Sequence, residues 1–195
     1  MKRIKLVDRV LPVYTKGEEI FNMVSHIVGA SLGIAVLVLC IILSAIHKNG
    51  YGIASGIVFG VSLILLYTMS SIYHGLKAQS KAKKVFQIID HCSIFLLIAG
   101  TYTPFALCIL REYNLALGWW IFGIVWGLAI IGIALNSIDI KKYKVFSMIC
   151  YLVMGWIIIF RVDVIYNVLG ISGFLLVLLG GVAYTIGAVI YGLGK

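Results

Sequence analysis

Tyr51-Gly-Ile-Ala-Ser-Gly-Ile-Val-Phe-Gly-Val-Ser-Leu-Ile-Leu-Leu-Tyr-Thr-Met-Ser-Ser-Ile-Tyr73 contains no charged residue, and His74 follows it directly. A helix needs about 20 apolar residues to cross the hydrocarbon core of a bilayer, so this stretch reads as a transmembrane span. An imidazole at the end of such a span requires a partner or a wet cavity, which makes His74 the first candidate for a functional site.

The rest of the chain has the same character. Of 195 residues, 62% are hydrophobic and 12% charged, and the mean hydropathy is +1.09. A soluble domain is roughly half apolar and a quarter charged. The composition predicts an all-α polytopic membrane protein, an antiparallel helical bundle joined by short connectors. The short alternating segments of a transmembrane barrel are absent from the sequence. Apolar runs place six spans near 22–46, 52–75, 86–109, 116–135, 145–160 and 170–193, preceded by a polar N-terminal segment, 1–21. Within that segment Leu6, Val7, Val10, Leu11 and Val13 alternate with Lys5 and Arg9 as in a short surface-lying segment. Pro12 argues against one continuous helix there.

The net charge is +9, but the basic residues sit in connectors, where they act as topology signals rather than as a nucleic-acid-binding face. Lys2, Arg3, Lys5, Arg9 and Lys16 precede the first span. Lys77, Lys81, Lys83 and Lys84 follow the second, Lys141, Lys142 and Lys144 follow the fourth, and Lys195 closes the chain. Only Lys48, Arg111 and Arg161 fall in the alternate connectors. The positive-inside rule therefore predicts a cytoplasmic N-terminus in a multi-pass protein of the cell membrane. Cys40, Cys92, Cys108 and Cys150 lie singly in apolar runs, as packing residues do.

With this topology, the unusual polar residues share one depth. Glu19, Asn22 and His26 are spaced i, i+3, i+7 and fall on one helical face. Tyr67, Ser70 and His74 repeat that spacing at the inward end of the second span, and Asp90 and His91 open the third. Asp90, costly to bury alone, takes His74, His26 or a bound metal as candidate partners. Adjacent helical residues point about 100° apart, so one of Asp90 and His91 faces the site and the other a neighbouring helix. A purely structural polar cluster is the competing reading. His47, beside Lys48, reads as an interfacial residue, Glu18 as solvated, and Trp119, Trp120 and Trp156 as anchoring or packing residues.

Three motifs carry a family resemblance: Glu19-Ile-Phe-Asn22-Met-Val-Ser25-His26, Ser70-Ser-Ile-Tyr-His74, and Ile89-Asp90-His91-Cys-Ser-Ile-Phe-Leu-Leu-Ile-Ala-Gly-Thr101-Tyr-Thr-Pro104-Phe105. In this order they resemble the bacterial hemolysin III family, part of the progestin and adipoQ receptor superfamily. The resemblance implies a seven-helix fold with a cytoplasmic N-terminus, of which six helices are present here. It also implies a zinc site near the cytoplasmic face, with His74 as a ligand and with Ser70 and Asp90 beside the metal and its water as catalytic residues. Glu19, Asn22, His26 and His91 belong to the surrounding motifs. Two further family ligands, a His-x-x-x-His pair opening a seventh helix, are not in this sequence. Because zinc normally takes four ligands, the donors that remain predict weak or absent zinc in this chain, and binding restored when that helix is supplied.

Two functions follow as expectations. One is a zinc-dependent hydrolase acting on a lipid amide such as a ceramide. The other is a non-enzymatic sensor or regulator of membrane state, or a cytolytic membrane protein. A transporter ranks below both, because the polar residues gather at one face rather than at the midplane.

Overall fold

The computed structural model describes residues 6–193. Lys2, Arg3, Lys5 and Lys195 of the charge count lie outside those residues. Six helices carry the chain: α1 (Lys16–Ile46), α2 (Gly50–Gly75), α3 (Lys81–Pro104), α4 (Leu115–Ile138), α5 (Lys144–Trp156) and α6 (Val162–Leu193). Pro104 ends regular α3, and the helix widens into a π-turn at Phe105–Leu110 before closing at Tyr113. Proline lacks the N–H that an α-turn would use there.

Each of the first four helices begins at a side-chain cap. Thr15 and Glu18 form a reciprocal capping box at α1, which gives the exposed Glu18 a structural task. Asn49, Ser80 and Asn114 accept the amides of Gly52, Lys83 and Leu117 at the starts of α2, α3 and α4. Such caps satisfy amides that have no partner within the helix and mark the helix start in the sequence.

Helix α3 is the centre of the bundle and touches α2, α4 and α5. Phe95, Ile98, Ala99 and Tyr102 of α3 pack with Val125 and Ala129 of α4 and with Cys150, Tyr151 and Met154 of α5. Helices α1 and α2 approach closely along small residues. A Cβ at Gly60 would lie 2.8 Å from the Cα of Leu37, and one at Gly56 would lie 2.7 Å from the Cβ of Cys40. Helices packing in lipid gain from such backbone approach, because no hydrophobic driving force separates tail from side chain. Isoleucine, leucine and valine side chains populate the outward faces of α1, α4 and α6, the faces a bilayer would cover.

Among the described residues five helical stretches are long and apolar enough to cross a membrane, and the last runs for 49 residues, Lys144–Gly192. Its contacts show that it is folded in two. Trp156 Nε1 donates to Thr185 Oγ1 at 2.9 Å, although residues 29 positions apart on a straight helix would be separated by about 43 Å. Tyr166 and Phe174 meet at 6.0 Å, and Lys144 lies over the Tyr191 ring at 5.8 Å. All these pairs bracket Gly170, whose φ of 66° and ψ of −176° interrupt α6. The reversal therefore occurs at one glycine. The connector expected over 161–169 is instead helical from Val162 to the break.

The described part of the N-terminal segment forms no continuous helix, as Pro12 suggests. After one 3-10 turn, Leu6–Asp8, it continues without helix or strand to Thr15, with Arg9 and Leu11 buried.

Candidate functional site

The ends of α1, α2 and α3 nearest the N-terminus meet around one carboxylate. Glu19 Oε2 lies 2.7 Å from His74 Nδ1, and Glu19 Oε1 lies 2.6 Å from Lys83 Nζ. The Lys83 side chain is 2% exposed. Its ammonium also donates to the backbone carbonyls of Leu76 at 3.2 Å and His74 at 3.5 Å, and it stands 5.0 Å from the centroid of the Tyr73 ring. These groups use the ammonium's three donors and its attraction to a π-face.

The sequence places these groups by simple means. Glu19 lies in the first turn of α1, fixed by the Thr15 cap. His74 and Ser70 lie one turn apart at the end of α2, and Ser70 is buried. The adjacent Ser71 donates to the Met23 carbonyl at 3.2 Å and pins α2 to α1. Because a carboxylate only accepts, His74 Nδ1 must carry the proton in its bond to Glu19. Lys83 offsets the Glu19 charge, and the carboxylate engages Nδ1 of His74 rather than Nε2.

His26 stands beside this pair. Its ring is 5.9 Å from the His74 ring and 5.6 Å from Tyr67. Its Nδ1 is buried and has no hydrogen-bond partner among the described residues. Asn22 is half-buried between Glu19 and His26 on α1. Tyr14, just before the cap, sets its ring edge-on to His74 at 5.7 Å. Partial burial, then the charges of Glu19 and Asp90, push the Tyr14 hydroxyl above its ordinary range.

Asp90 and His91 turn in different directions. The Asp90 carboxylate lies 3.6 Å from His91 Nδ1, too far for a good hydrogen bond. His91 Nδ1 instead pairs with the Gln87 carbonyl at 2.8 Å, and Nε2 meets the Tyr191 hydroxyl of α6 at 2.9 Å. In the neutral ring, Nδ1 donates and Tyr191 donates to Nε2. His91 therefore faces α5 and α6, while Asp90 lies two turns along α3 from Lys83 on the same helical face.

Lys83 is the residue that sequence reasoning assigned elsewhere, as a topology charge. Its signal is the spacing Lys83, Gln87, Asp90, which is i, i+4, i+7 and puts the lysine on the aspartate's face.

Among the described residues no three His, Cys, Asp or Glu groups converge to hold a metal ion. His74 Nδ1 is engaged by Glu19, and the neighbouring Lys83 ammonium opposes a divalent cation in a low-dielectric setting.

Apart from the polar centre, an apolar cleft of about 540 Å³ opens between α3, α5 and α6. Leu97, Tyr102, Trp156, Phe174 and Tyr184 are among its walls. The Tyr184 hydroxyl is buried there without a hydrogen-bond partner among the described residues.

The family model described as Haemolysin-III related matches residues 14–194. The chain belongs to the haemolysin-III family. That family is part of the progestin and adipoQ receptor superfamily. The chain is 41% identical to Hemolysin-3 of Bacillus cereus over 174 residues, 89% of this chain and 78% of that protein. It is 41% identical to the Hemolysin-3 homolog of Bacillus subtilis (strain 168) over 179 residues, 92% of this chain and 82% of the relative. No solved structure matches it. All three motifs that suggested this haemolysin-III membership fall inside the matched region, and Glu19, His74 and Asp90 come from one motif each.

Proposed function

We propose that this haemolysin-III protein is a non-enzymatic sensor or regulator of membrane state, with the Glu19–His74–Lys83 centre as its responsive element. One observation carries the reading. Three helices of an otherwise apolar bundle meet through mutually satisfied charges at one end, so any change in that balance is felt by α1, α2 and α3 together. A buried charge network has two well-separated states, paired and broken, because an unpaired ion in such surroundings is costly. The charge distribution along the chain supports placing this end on the cytoplasmic side of the cell membrane.

The second reading is a metal-dependent hydrolase of a lipid amide. It is favoured by the unpartnered His26 Nδ1 next to His74 and by a cleft whose size and apolar walls suit an acyl chain. In that reading His74 is a ligand and Ser70 and Asp90 assist the reaction, but further metal donors are required. The Bacillus cereus relative's name indicates haemolysis, and lysis of erythrocytes by the purified protein is a third measurable outcome.

The deciding experiment compares wild type with His74→Ala, both purified in detergent and reconstituted in vesicles. Metal content, release of fatty acid from a short-chain ceramide, and tryptophan fluorescence across vesicles of differing lipid composition are measured. The sensor reading expects a fluorescence response that the variant loses, with neither stoichiometric metal nor turnover. Zinc near one per chain that disappears in His74→Ala, together with ceramide cleavage, would replace it with the hydrolase.

A further inference from the structure

We infer that residues 9–14 form a strap that closes the His74 centre and must lift to admit anything to it. Three attachments hold the strap, each to a different part of the bundle. Arg9 Nη2 donates to the Ile138 carbonyl at the end of α4, at 3.3 Å. Leu11 exchanges two hydrogen bonds with Gln79: its N–H donates to Oε1 and its carbonyl accepts from Nε2, both at 3.2 Å. Tyr14 then lays its ring against His74.

The Gln79 contact is specifically built. Gln79 takes a positive φ of 57° in the turn between α2 and α3, a conformation uncommon for a residue other than glycine. In the structure this residue's side-chain amide pairs with both backbone groups of Leu11, as a neighbouring strand would. Leu11 itself is 2% exposed, so the strap is anchored by an apolar plug as well.

The rest of the strap is weakly held. Val10 and Val13 are 67% and 90% exposed, and residues 9–15 belong to no helix or strand. Held only at Arg9, Leu11 and Tyr14 and without helix or strand bonds of its own, the segment opens locally at low cost relative to the helices beneath it. Under the strap, the His74 side chain is 10% exposed. Removing Tyr14 would uncover the imidazole face that neither Tyr73 nor His26 shields. The strap thus governs access to this centre, whichever chemistry the centre performs.

The test is the reactivity of individual histidines towards diethyl pyrocarbonate, read by mass spectrometry on the full-length protein in detergent. Gln79→Ala removes both Leu11 bonds, and Tyr14→Ala removes the covering ring while leaving the anchors. Both variants are expected to raise the His74 rate several-fold and to leave the exposed His47, at the opposite end of the bundle, unchanged. An unchanged His74 rate in Tyr14→Ala with an unchanged His47 rate would overturn the strap. Should Gln79→Ala speed modification of the partly buried His91 as well, that variant has loosened globally and Tyr14→Ala decides alone. The partly exposed Tyr14 side chain makes loss of fold in that variant unexpected.

Discussion

The Glu19 carboxylate sits 2.6 Å from the Lys83 ammonium, and Lys83 is buried to 2% exposure. Sixty-four positions separate the two residues, so this ion pair closes α3 onto α1 across the intervening α2. Removing one partner leaves an uncompensated charge in a dry setting. Lys83→Ala and Glu19→Ala are each expected to destabilise the protein by about 3 kcal/mol. The combined Glu19→Ala/Lys83→Ala change should cost clearly less than the sum of the single changes, with a coupling of about 1–3 kcal/mol. Thermal unfolding in detergent across the four proteins checks this, and additive losses would show that the pair is not coupled.

Gly170 carries the reversal between the two arms of the last apolar stretch. A Cβ there would meet no atom within 4 Å, so crowding is not the obstacle. The obstacle is φ itself: 66° with an extended ψ is a region that side-chain-bearing residues avoid at a cost of roughly 1–3 kcal/mol. Gly170→Ala should lower the melting temperature and loosen the hairpin. Loss of the Trp156–Thr185 contact should appear as a shift in tryptophan emission. A variant that melts with wild type would mean the turn is formed by another route.

Tyr102 secures the second irregularity. Its hydroxyl donates to the Gly155 carbonyl at 2.8 Å and accepts the Ile158 amide at 3.1 Å, where α5 gives way to the 3-10 turn Ile157–Arg161. Tyr102→Phe keeps the ring in the core but strands two backbone groups, each at about 1–3 kcal/mol. The expected result is a larger loss of stability than from Tyr113→Phe, whose side chain is exposed. Equal losses would show that water or a shifted backbone replaces the hydroxyl.

Much of the candidate site is legible in the chain itself. The spacings Glu19, Asn22, His26 and Ser70, His74, together with an acidic residue opening the third span, place the polar groups at one end of three consecutive helices. Helical periodicity and the alternation of apolar runs suffice for that. Lys83 was not legible in the same way, because a lysine just outside an apolar run looks identical whether it is solvated or folded back onto a carboxylate. The partner of His74 also differs in detail from the expectation: its direct bond is to Glu19 rather than Asp90.

Composition and apolar run length by themselves determined a helical membrane bundle and its approximate helix limits, and the residues of three motifs carried the resemblance to the haemolysin-III family. Those are local properties, set by hydropathy and by backbone groups that must be satisfied within a few residues. Only the tertiary structure decided that Lys83 neutralises Glu19, that Tyr14 meets His74, and that the final apolar stretch turns at Gly170. Each of these depends on distances between groups far apart in the chain, and no periodicity encodes such distances.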